Sequence, residues 1–171
     1  MEKKLLIGTL GVLHSGKTHT WNTLFKRVVK TGKNMRKLFL TDDEYVEVFL
    51  VSGSPGERHM YVGDIITAEK PEIILCSLQY TKEVIDTINY FIDNNYFLYI
   101  HWLNPGYTEQ IEPPLFYTLG VINTLLSNDS LIGVRNAKTD VEGRVQEIRD
   151  FIYGWAKSRG LLLTKKLKID N

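Results

Sequence analysis

Apolar residues in this chain occur in short uninterrupted runs, separated by longer stretches in which they recur every three or four positions. A short apolar run is typical of a strand that is covered on both faces of a sheet. The pattern predicts three such strands, at residues 5–10, 72–77 and 96–103, and two further strands at 130–134 and 161–164. Residues 36–40 and 45–51 predict two more strands, and because so few residues separate them, they form an antiparallel hairpin.

The stretches with helical spacing predict four helices. In residues 18–30, apolar side chains fall at i, i+3, i+4, i+7 and i+8 counted from Trp21. Two further helices are predicted at residues 82–94 and 141–159, the second ending at Gly160. A fourth helix is predicted to begin at Pro113-Pro114 and to carry Leu115, Leu119, Ile122 and Leu126.

Strands that alternate with helices predict an α/β fold, here a three-layer sandwich with a mostly parallel sheet and one antiparallel hairpin strand. A length of 171 residues suits a single domain that spans 1–171. Ligands of such sheets bind beyond the carboxyl ends of the strands. Candidate chemistry is therefore expected in the residues that follow each strand.

The composition, with 43% apolar and 24% charged residues, is that of a globular protein and excludes a disordered chain. The single cysteine, Cys76, cannot form an internal disulfide, which favours a reducing compartment. No apolar run reaches the roughly 18 residues of a membrane span, and the run 5–13 is not followed by a signal-peptide cleavage site. We therefore expect a cytoplasmic protein that does not use a membrane.

Charge is distributed unevenly along the chain. Residues 3–41 contain nine Lys or Arg and no acidic residue, whereas residues 42–171 contain 12 basic and 19 acidic residues. The two parts therefore carry about +9 and −7. The basic part is either a solvated surface or a surface that faces a polyanion.

The residues after the first predicted strand, GVLHSGKT at 11–18, form the pattern G-x-x-x-x-G-K-[ST]; we call them the glycine loop. Gly11 and Gly16 allow the backbone to curl so that successive N–H groups point into one concavity that suits an anion. The helix that follows directs its positive dipole end to the same point. Lys17 adds a full positive charge there, and Thr18 adds a hydroxyl group.

Through these residues the chain resembles the P-loop NTPase superfamily, whose Walker A motif has this pattern. The resemblance implies that the chain binds ATP or GTP with Mg²⁺, and hydrolyses the nucleotide or transfers its γ-phosphate. It implies that Lys17 acts on the β- and γ-phosphates and that Thr18 ligates Mg²⁺. The nucleotide-binding residues it implies are Gly11, Leu13, His14, Ser15, Gly16, Lys17, Thr18 and His19.

Two branches of that superfamily are similar to the rest of the chain. Ras-like small GTPases have a hairpin followed by a D-x-x-G switch, and residues 52–58 take that place here, with Ser52 or Gly53 at the position of the aspartate. The residue types of their guanine-binding N-K-x-D occur at 136–140 with a different spacing. The aspartate of that motif distinguishes guanine, and this chain does not have it at the required spacing. ATP is therefore favoured over GTP.

Small-molecule and nucleotide kinases are the other branch. They resemble the chain in size and in the Walker A motif, and they carry arginines on a mobile lid that neutralise charge on the transferring phosphoryl group. The candidates for such arginines in this sequence are Arg58, Arg135 and Arg144.

No predicted strand ends in the aspartate that would assist the metal ion. Mg²⁺ needs only one or two protein oxygens besides the phosphates. Thr18 together with a water held by Ser52 would suffice. A carboxylate of Asp42, Asp43 or Glu57 is the alternative, although Asp42 and Asp43 also suit a solvated turn.

Catalytic candidates follow the strand 45–51, which we expect to lie beside the first strand. Glu57 would orient the attacking water or hydroxyl and Arg58 would contact the γ-phosphate; alternatively, Glu57 belongs to the first turn of an ordinary helix. Gln79, at the end of a buried strand, is a further candidate. Three aromatic residues could stack on a base or be half-buried in the fold: Tyr99, Trp102 and Tyr107.

The sequence therefore predicts a nucleoside triphosphate-binding protein with hydrolase or phosphotransferase activity. A nucleotide-dependent switch or binding module with little turnover is the first alternative, motivated by the missing aspartate. A nucleic-acid-associated protein that uses the basic segment 26–37 is the second.

Overall fold

The predicted strand 5–10 lies in the middle of the sheet in the computed structural model, which describes residues 2–108 and 118–165. The strands are β1 (Lys4–Gly11), β2 (Arg36–Phe39), β3 (Glu44–Val51), β4 (Ile73–Gln79), β5 (Tyr96–Leu103), β6 (Ser130–Arg135) and β7 (Leu163–Thr164). The helices are α1 (Lys17–Leu24), α2 (Pro55–Arg58), α3 (Val62–Ile65), α4 (Val84–Asp93), α5 (Val121–Leu126) and α6 (Val141–Ser158).

The sheet is mostly parallel. β1 pairs in parallel with β4 on one side and with β5 on the other, and the strand order is β2-β3-β4-β1-β5-β6. β2 and β3 form the predicted antiparallel hairpin. β7 adds a second antiparallel pair with the first residues of β3. The prediction of an α/β fold with a mostly parallel sheet is therefore confirmed.

Helices cover both faces of this sheet, because the side chains of β1 alternate between two apolar clusters. Leu6 and Leu10 belong to a cluster with residues of α4 and α5. Leu5 and Ile7 belong to a second cluster with residues of α1 and α6. β1 is thus buried on both sides, as its uninterrupted apolar run predicts, and its carboxyl end is held in a fixed position.

The expectation that the hairpin strand lies beside β1 is wrong, because β4 lies between β1 and β3. β4 is buried along nearly its whole length, which suits an interior strand, whereas β3 exposes Glu47 and continues into the edge hairpin. Ser52, which follows β3, is therefore two strands from β1, or roughly 10 Å at the usual spacing.

Two predicted helices are shorter than their apolar patterns suggest. α1 ends at Leu24 instead of continuing to residue 30, since Lys26 adopts a left-handed backbone (φ 54°) and Val29 donates its N–H to Asn22 Oδ1 at 2.8 Å. Val29 is buried from a loop, whereas Val28, in the same apolar pattern, is 78% exposed, so the apolar spacing after Leu24 does not correspond to a helix. α5 begins only at Val121, after Gly120, and Leu119 lies in the preceding turn.

The predicted start of that helix at Pro113-Pro114, with Leu115, lies outside the described residues. Within residues 2–108 and 118–165, no helix is both long enough and apolar enough to cross a lipid bilayer.

Candidate functional site

The glycine loop leaves the carboxyl end of β1 as a tight curl and leads directly into α1. His14 and Gly16 have left-handed backbones, with φ of 58° and 98°, and Ser15 N–H donates to Val12 O at 3.2 Å. A side chain at Gly11 would overlap that of Ser15, and a Cβ at Gly16 would lie 3.3 Å from Tyr107 Cβ. The curl therefore needs glycine at both ends, as the motif predicts.

Lys17 lies inside this curl and is only 5% exposed. Its ammonium donates to Val12 O at 2.8 Å and to Gly11 O at 3.4 Å, and it lies 3.3 Å from Glu57 Oε1. Burial lowers the pKa of the Lys17 ammonium, whereas the charge of Glu57 raises it. The loop thus places a partly desolvated cation among backbone groups, where an anionic ligand would interact strongly with it.

The first turn of α1 adds backbone donors at the same place. Its N-cap is Gly16, no described side chain caps it, and its first turn has no acidic residue. The N–H groups at the start of a helix have no partner within the helix. They therefore add to the positive potential around Lys17.

A cavity of about 430 Å³ opens in front of the loop. Its lining residues are Leu13, His14, Ser15, Gly16, Lys17, Thr18, His19, Glu57, Tyr107 and Thr108. All the predicted nucleotide-binding residues except Gly11 are among them. Larger cavities, of about 670 and 630 Å³, lie near the end of α1, where both are lined by Lys26 and Arg149.

Glu57 reaches the cavity from α2. Ser54 Oγ accepts from Glu57 N–H at 3.2 Å, and Glu57 Oε2 accepts from Ser54 N–H at 3.4 Å, which is a capping box. The other carboxylate oxygen faces Lys17. Glu57 therefore belongs to the first turn of a helix and also contacts the glycine loop, so the two interpretations of this residue are compatible.

Arg58, the other catalytic candidate, lies elsewhere. Its Nε is 2.9 Å from the position that a Cβ would take at Gly53, and Arg58 does not line the cavity at the loop. Its predicted contact with a γ-phosphate stays a prediction.

Residues after β5 hold the glycine loop from the opposite side. Tyr107 N–H donates to Ser15 O at 3.1 Å, and Thr108 Oγ1 donates to His14 O at 3.2 Å. Tyr107 is 57% exposed in the cavity, whereas Tyr99 and Trp102 are buried in the core. Thr108 was not predicted, and its only sequence signal is its place just after a buried strand.

Arg144 lies behind the loop and is not on a lid. It is 3% exposed, its Nε donates to Thr20 Oγ1 at 3.1 Å, and Nη2 has no hydrogen-bond partner among the described residues. Burial lowers the pKa of this guanidinium, and Asp140 opposes the effect. Nη2 is 3.8 Å from the position of a Cβ at Gly16, so Arg144 adds a buried positive charge close to the curl.

Arg135, the remaining lid candidate, pairs with Glu147, with 2.8 Å between Arg135 Nε and Glu147 Oε2. Asn136 and Asp140 make local contacts: Asn136 Oδ1 accepts from Lys138 N–H, and Asp140 Oδ1 accepts from Gly143 N–H, both at 2.9 Å. These side chains, which have the types of a guanine-binding motif, thus serve the turn before α6.

The candidate metal ligands differ in their position relative to the glycine loop. Asp42 and Asp43 precede β3, which runs parallel to β4 and β1. They therefore lie at the opposite edge of the sheet, roughly 26 Å away by strand length. Ser52 is 5% exposed, and its backbone N–H donates to Thr31 Oγ1 at 2.8 Å. Thr18 is exposed in the cavity, and the carboxylate of Glu57 lines the same cavity.

Neighbouring positions supply no preformed metal cluster. In the described part of the chain, no three His, Cys, Asp or Glu side chains are grouped closely enough to hold a metal ion. Gln79 pairs in register with Gly11, and its Oε1 is buried without a hydrogen-bond partner among the described residues. An amide, and no carboxylate, therefore ends the strand next to β1.

A polar cluster formed by residues of β5, β6 and α6 lies below the loop. His101, opposite Thr9 in register, is fully buried, and its Nε2 is 3.7 Å from Glu147 Oε2. Burial lowers the pKa of His101 to about 4, and the guanidinium of Arg135 lowers the pKa of Glu147 to about 2. His101 is therefore neutral near pH 7, and neither of its ring nitrogens has a hydrogen-bond partner among the described residues.

Comparison with known protein families finds none that matches this chain, and a search of curated proteins finds no significant match.

Proposed function

We propose that this chain is a P-loop nucleoside triphosphate-binding protein that acts with Mg²⁺ and hydrolyses the nucleotide or transfers its γ-phosphate. The observation that carries the proposal is the curl at 11–18, in which Lys17 is 5% exposed with its ammonium among backbone carbonyls. The ammonium is held by the carbonyls of Gly11 and Val12 and by Glu57. A polyphosphate that takes the place of Glu57 at Lys17 would also accept from the first N–H groups of α1, and such charge-assisted hydrogen bonds are strong.

Mg²⁺ fits the residues at the site. Thr18 is exposed in the same cavity as Lys17, which suits one hydroxyl ligand to an ion that otherwise takes phosphate oxygens and waters. Such an ion would neutralise charge on the phosphate oxygens during the reaction. Glu57, beside Lys17, is the one carboxylate among the described residues that line this cavity.

Within this proposal, each residue has one task. The loop amides and Lys17 bind the phosphates, and Thr18 binds the metal ion. Glu57 Oε1 accepts a hydrogen bond from the attacking water or hydroxyl and can take its proton. ATP is preferred to GTP, because the side chains of Asn136 and Asp140, which have the types of a guanine-binding motif, already accept hydrogen bonds from backbone N–H groups of their own turn.

One contact favours a second candidate, a nucleotide-dependent switch with little turnover. Glu57 is the ammonium's partner and also part of the capping box of α2. A triphosphate that replaces Glu57 at Lys17 would change the contacts of α2 and could alter a surface used by a partner protein. A steady-state phosphate-release assay separates the two: turnover near one per second favours the enzyme, and tight binding with almost none favours the switch.

A thermal-shift panel tests the nucleotide site itself. ATP, GTP and CTP are each added with and without Mg²⁺ to the wild type, to Lys17→Ala and to the control Lys26→Ala. A ligand at 100 times its Kd stabilises the fold by about 2.7 kcal/mol. We expect the shift with ATP and Mg²⁺ to be lost in Lys17→Ala and kept in Lys26→Ala; an equal shift in all three proteins contradicts the assigned role of Lys17.

A further inference from the structure

The two sides of the glycine loop differ in chemistry. In the strand order β3-β4-β1-β5, the segment after β3 brings Glu57 to one side of the loop, and the segment after β5 brings Tyr107 to the other. Glu57 is charged and contacts Lys17, whereas Tyr107 presents an aromatic ring. A ligand that spans the cavity would thus meet a carboxylate at one end and a ring at the other.

The backbone of Tyr107 is bonded to the glycine loop, whereas its ring is exposed. Its backbone N–H donates to Ser15 O at 3.1 Å, and its Cβ packs where a side chain at Gly16 would be. The ring is nevertheless 57% exposed, and its described ring contact is His19, with centroids 5.9 Å apart and planes tilted by 47°. A tyrosine side chain has only two χ angles, so a ring with an open face loses little conformational entropy when a flat ligand covers it.

We propose that Tyr107 stacks on the nucleobase of the bound nucleotide and that His19 flanks it. The inference rests on the proposed function and goes beyond it, because it assigns the orientation of the ligand: the base lies toward β5 and the γ-phosphate toward Glu57. Stacking tolerates different bases, since every base has a π-face. A stacked base therefore contributes affinity that inorganic triphosphate cannot obtain.

Calorimetric titration with two probes, ATP and inorganic tripolyphosphate, both with Mg²⁺, tests this assignment. The proteins are the wild type, Tyr107→Ala, Tyr107→Phe and Tyr61→Ala. Tyr61 is a matched control, because it is 56% exposed, contacts Tyr90 on α4 and does not line the cavity.

We expect Tyr107→Ala to weaken ATP binding about tenfold, which is typical when an aromatic residue that stacks on a base is replaced by alanine. Binding of tripolyphosphate should be unchanged. Tyr107→Phe keeps the ring and should keep the affinity for ATP, and Tyr61→Ala should bind both probes like the wild type. Unchanged tripolyphosphate binding also shows that the loop is still folded in the alanine variant.

Two results would overturn the assignment in different ways. If Tyr107→Ala binds ATP as tightly as the wild type, or loses ATP and tripolyphosphate equally, stacking is wrong while the phosphate site stands. If the wild type binds neither probe, the proposed function fails and the stacking role fails with it.

Discussion

Glu57 Oε1 lies 3.3 Å from Lys17 Nζ, so a carboxylate from α2 is the ionic partner of the ammonium in the glycine loop. Lys17 is almost fully buried, whereas the side chain of Glu57 is 28% exposed. A triphosphate would approach the same ammonium with several negative charges. Glu57 must therefore share or yield Lys17 when the ligand binds, and this makes its charge a test of the proposed site.

Glu57→Gln removes the competing charge and keeps the shape of the side chain. We expect ATP with Mg²⁺ to bind a few-fold more tightly, since the substitution removes one negative charge beside the phosphates. Turnover should fall by about 10²-fold or more, because an amide cannot take the proton of the attacking water. Kd from calorimetry and kcat from phosphate release measure the two effects separately.

Glutamine also serves at this position of a capping box, so α2 should remain folded in the variant. Glu47→Gln is the control, because Glu47 is exposed on β3, toward the hairpin. Equal turnover in Glu57→Gln and the wild type would remove Glu57 from the reaction.

Gly16 and Gly160 both have left-handed backbones, with φ of 98° and 67°, but their surroundings differ. A Cβ at Gly16 would lie 3.3 Å from Tyr107 Cβ and 3.4 Å from Ala137 Cβ, whereas a Cβ at Gly160 meets nothing within 4 Å. Both Gly→Ala variants should lose about 1–2 kcal/mol of stability through backbone strain. Only Gly16→Ala should also weaken ATP binding, by tenfold or more.

Urea unfolding and calorimetry on both variants measure these two quantities. The comparison separates strain from loop geometry, because Gly160 follows α6 far along the chain from the loop. Wild-type affinity for ATP in Gly16→Ala would mean that the curl does not bind the phosphates.

Local patterns were sufficient to predict the glycine loop and most strands. Leu5 to Leu10 form a short apolar run that is typical of an interior strand, and Gly11 and Gly16 supply the backbone freedom that the curl needs. At these positions, the residue type alone indicates the backbone conformation. Strand 96–103 likewise matches β5 at both ends.

Long-range pairing was not predictable in the same way. β3 and β4 are both apolar, and nothing local to either states which one pairs with β1. The same holds for Tyr107 and Thr108, which reach the loop only because β5 is the other neighbour of β1. Val29 shows a further limit, because a loop residue buried at helical spacing has the same pattern as a helix.

Ser77 connects three elements beneath the site. Its Oγ accepts from Trp21 Nε1 at 2.9 Å and donates to Ser52 O at 2.7 Å, and all three residues are buried. Ser77→Ala leaves a buried donor and a buried acceptor without this partner, which should cost about 2 kcal/mol. For a chain of this size, Tm should fall by about 4–8 °C.

A double-mutant cycle with Trp21→Phe checks the cause. Once the indole N–H is absent, Ser77→Ala should cost less than it does in the wild type. Strictly additive losses in urea unfolding would mean that the hydrogen bond from Trp21 to Ser77 contributes nothing to stability.

His101 predicts how stability depends on pH. Burial lowers the pKa of His101; the charge of Glu147 opposes this effect, the charges of Arg135 and Arg144 add to it, and the resulting pKa is about 4. The unfolded chain therefore takes up a proton at this residue near pH 6.5, whereas the folded chain does so only near pH 4. Because the unfolded state binds more protons in that window, the free energy of unfolding should fall as pH decreases from about 6.5 to about 4.

Glu147, whose pKa is about 2, extends the fall to lower pH, since it takes up a proton near pH 4.5 in the unfolded chain and only near pH 2 in the folded chain. His101→Gln should flatten the curve between pH 6.5 and 4 and leave the lower part. Urea unfolding at several pH values measures this, with the exposed His59→Gln as control. Parallel curves for the wild type and His101→Gln would show that His101 titrates alike in the folded and unfolded chains, and its burial would then have no effect on its charge.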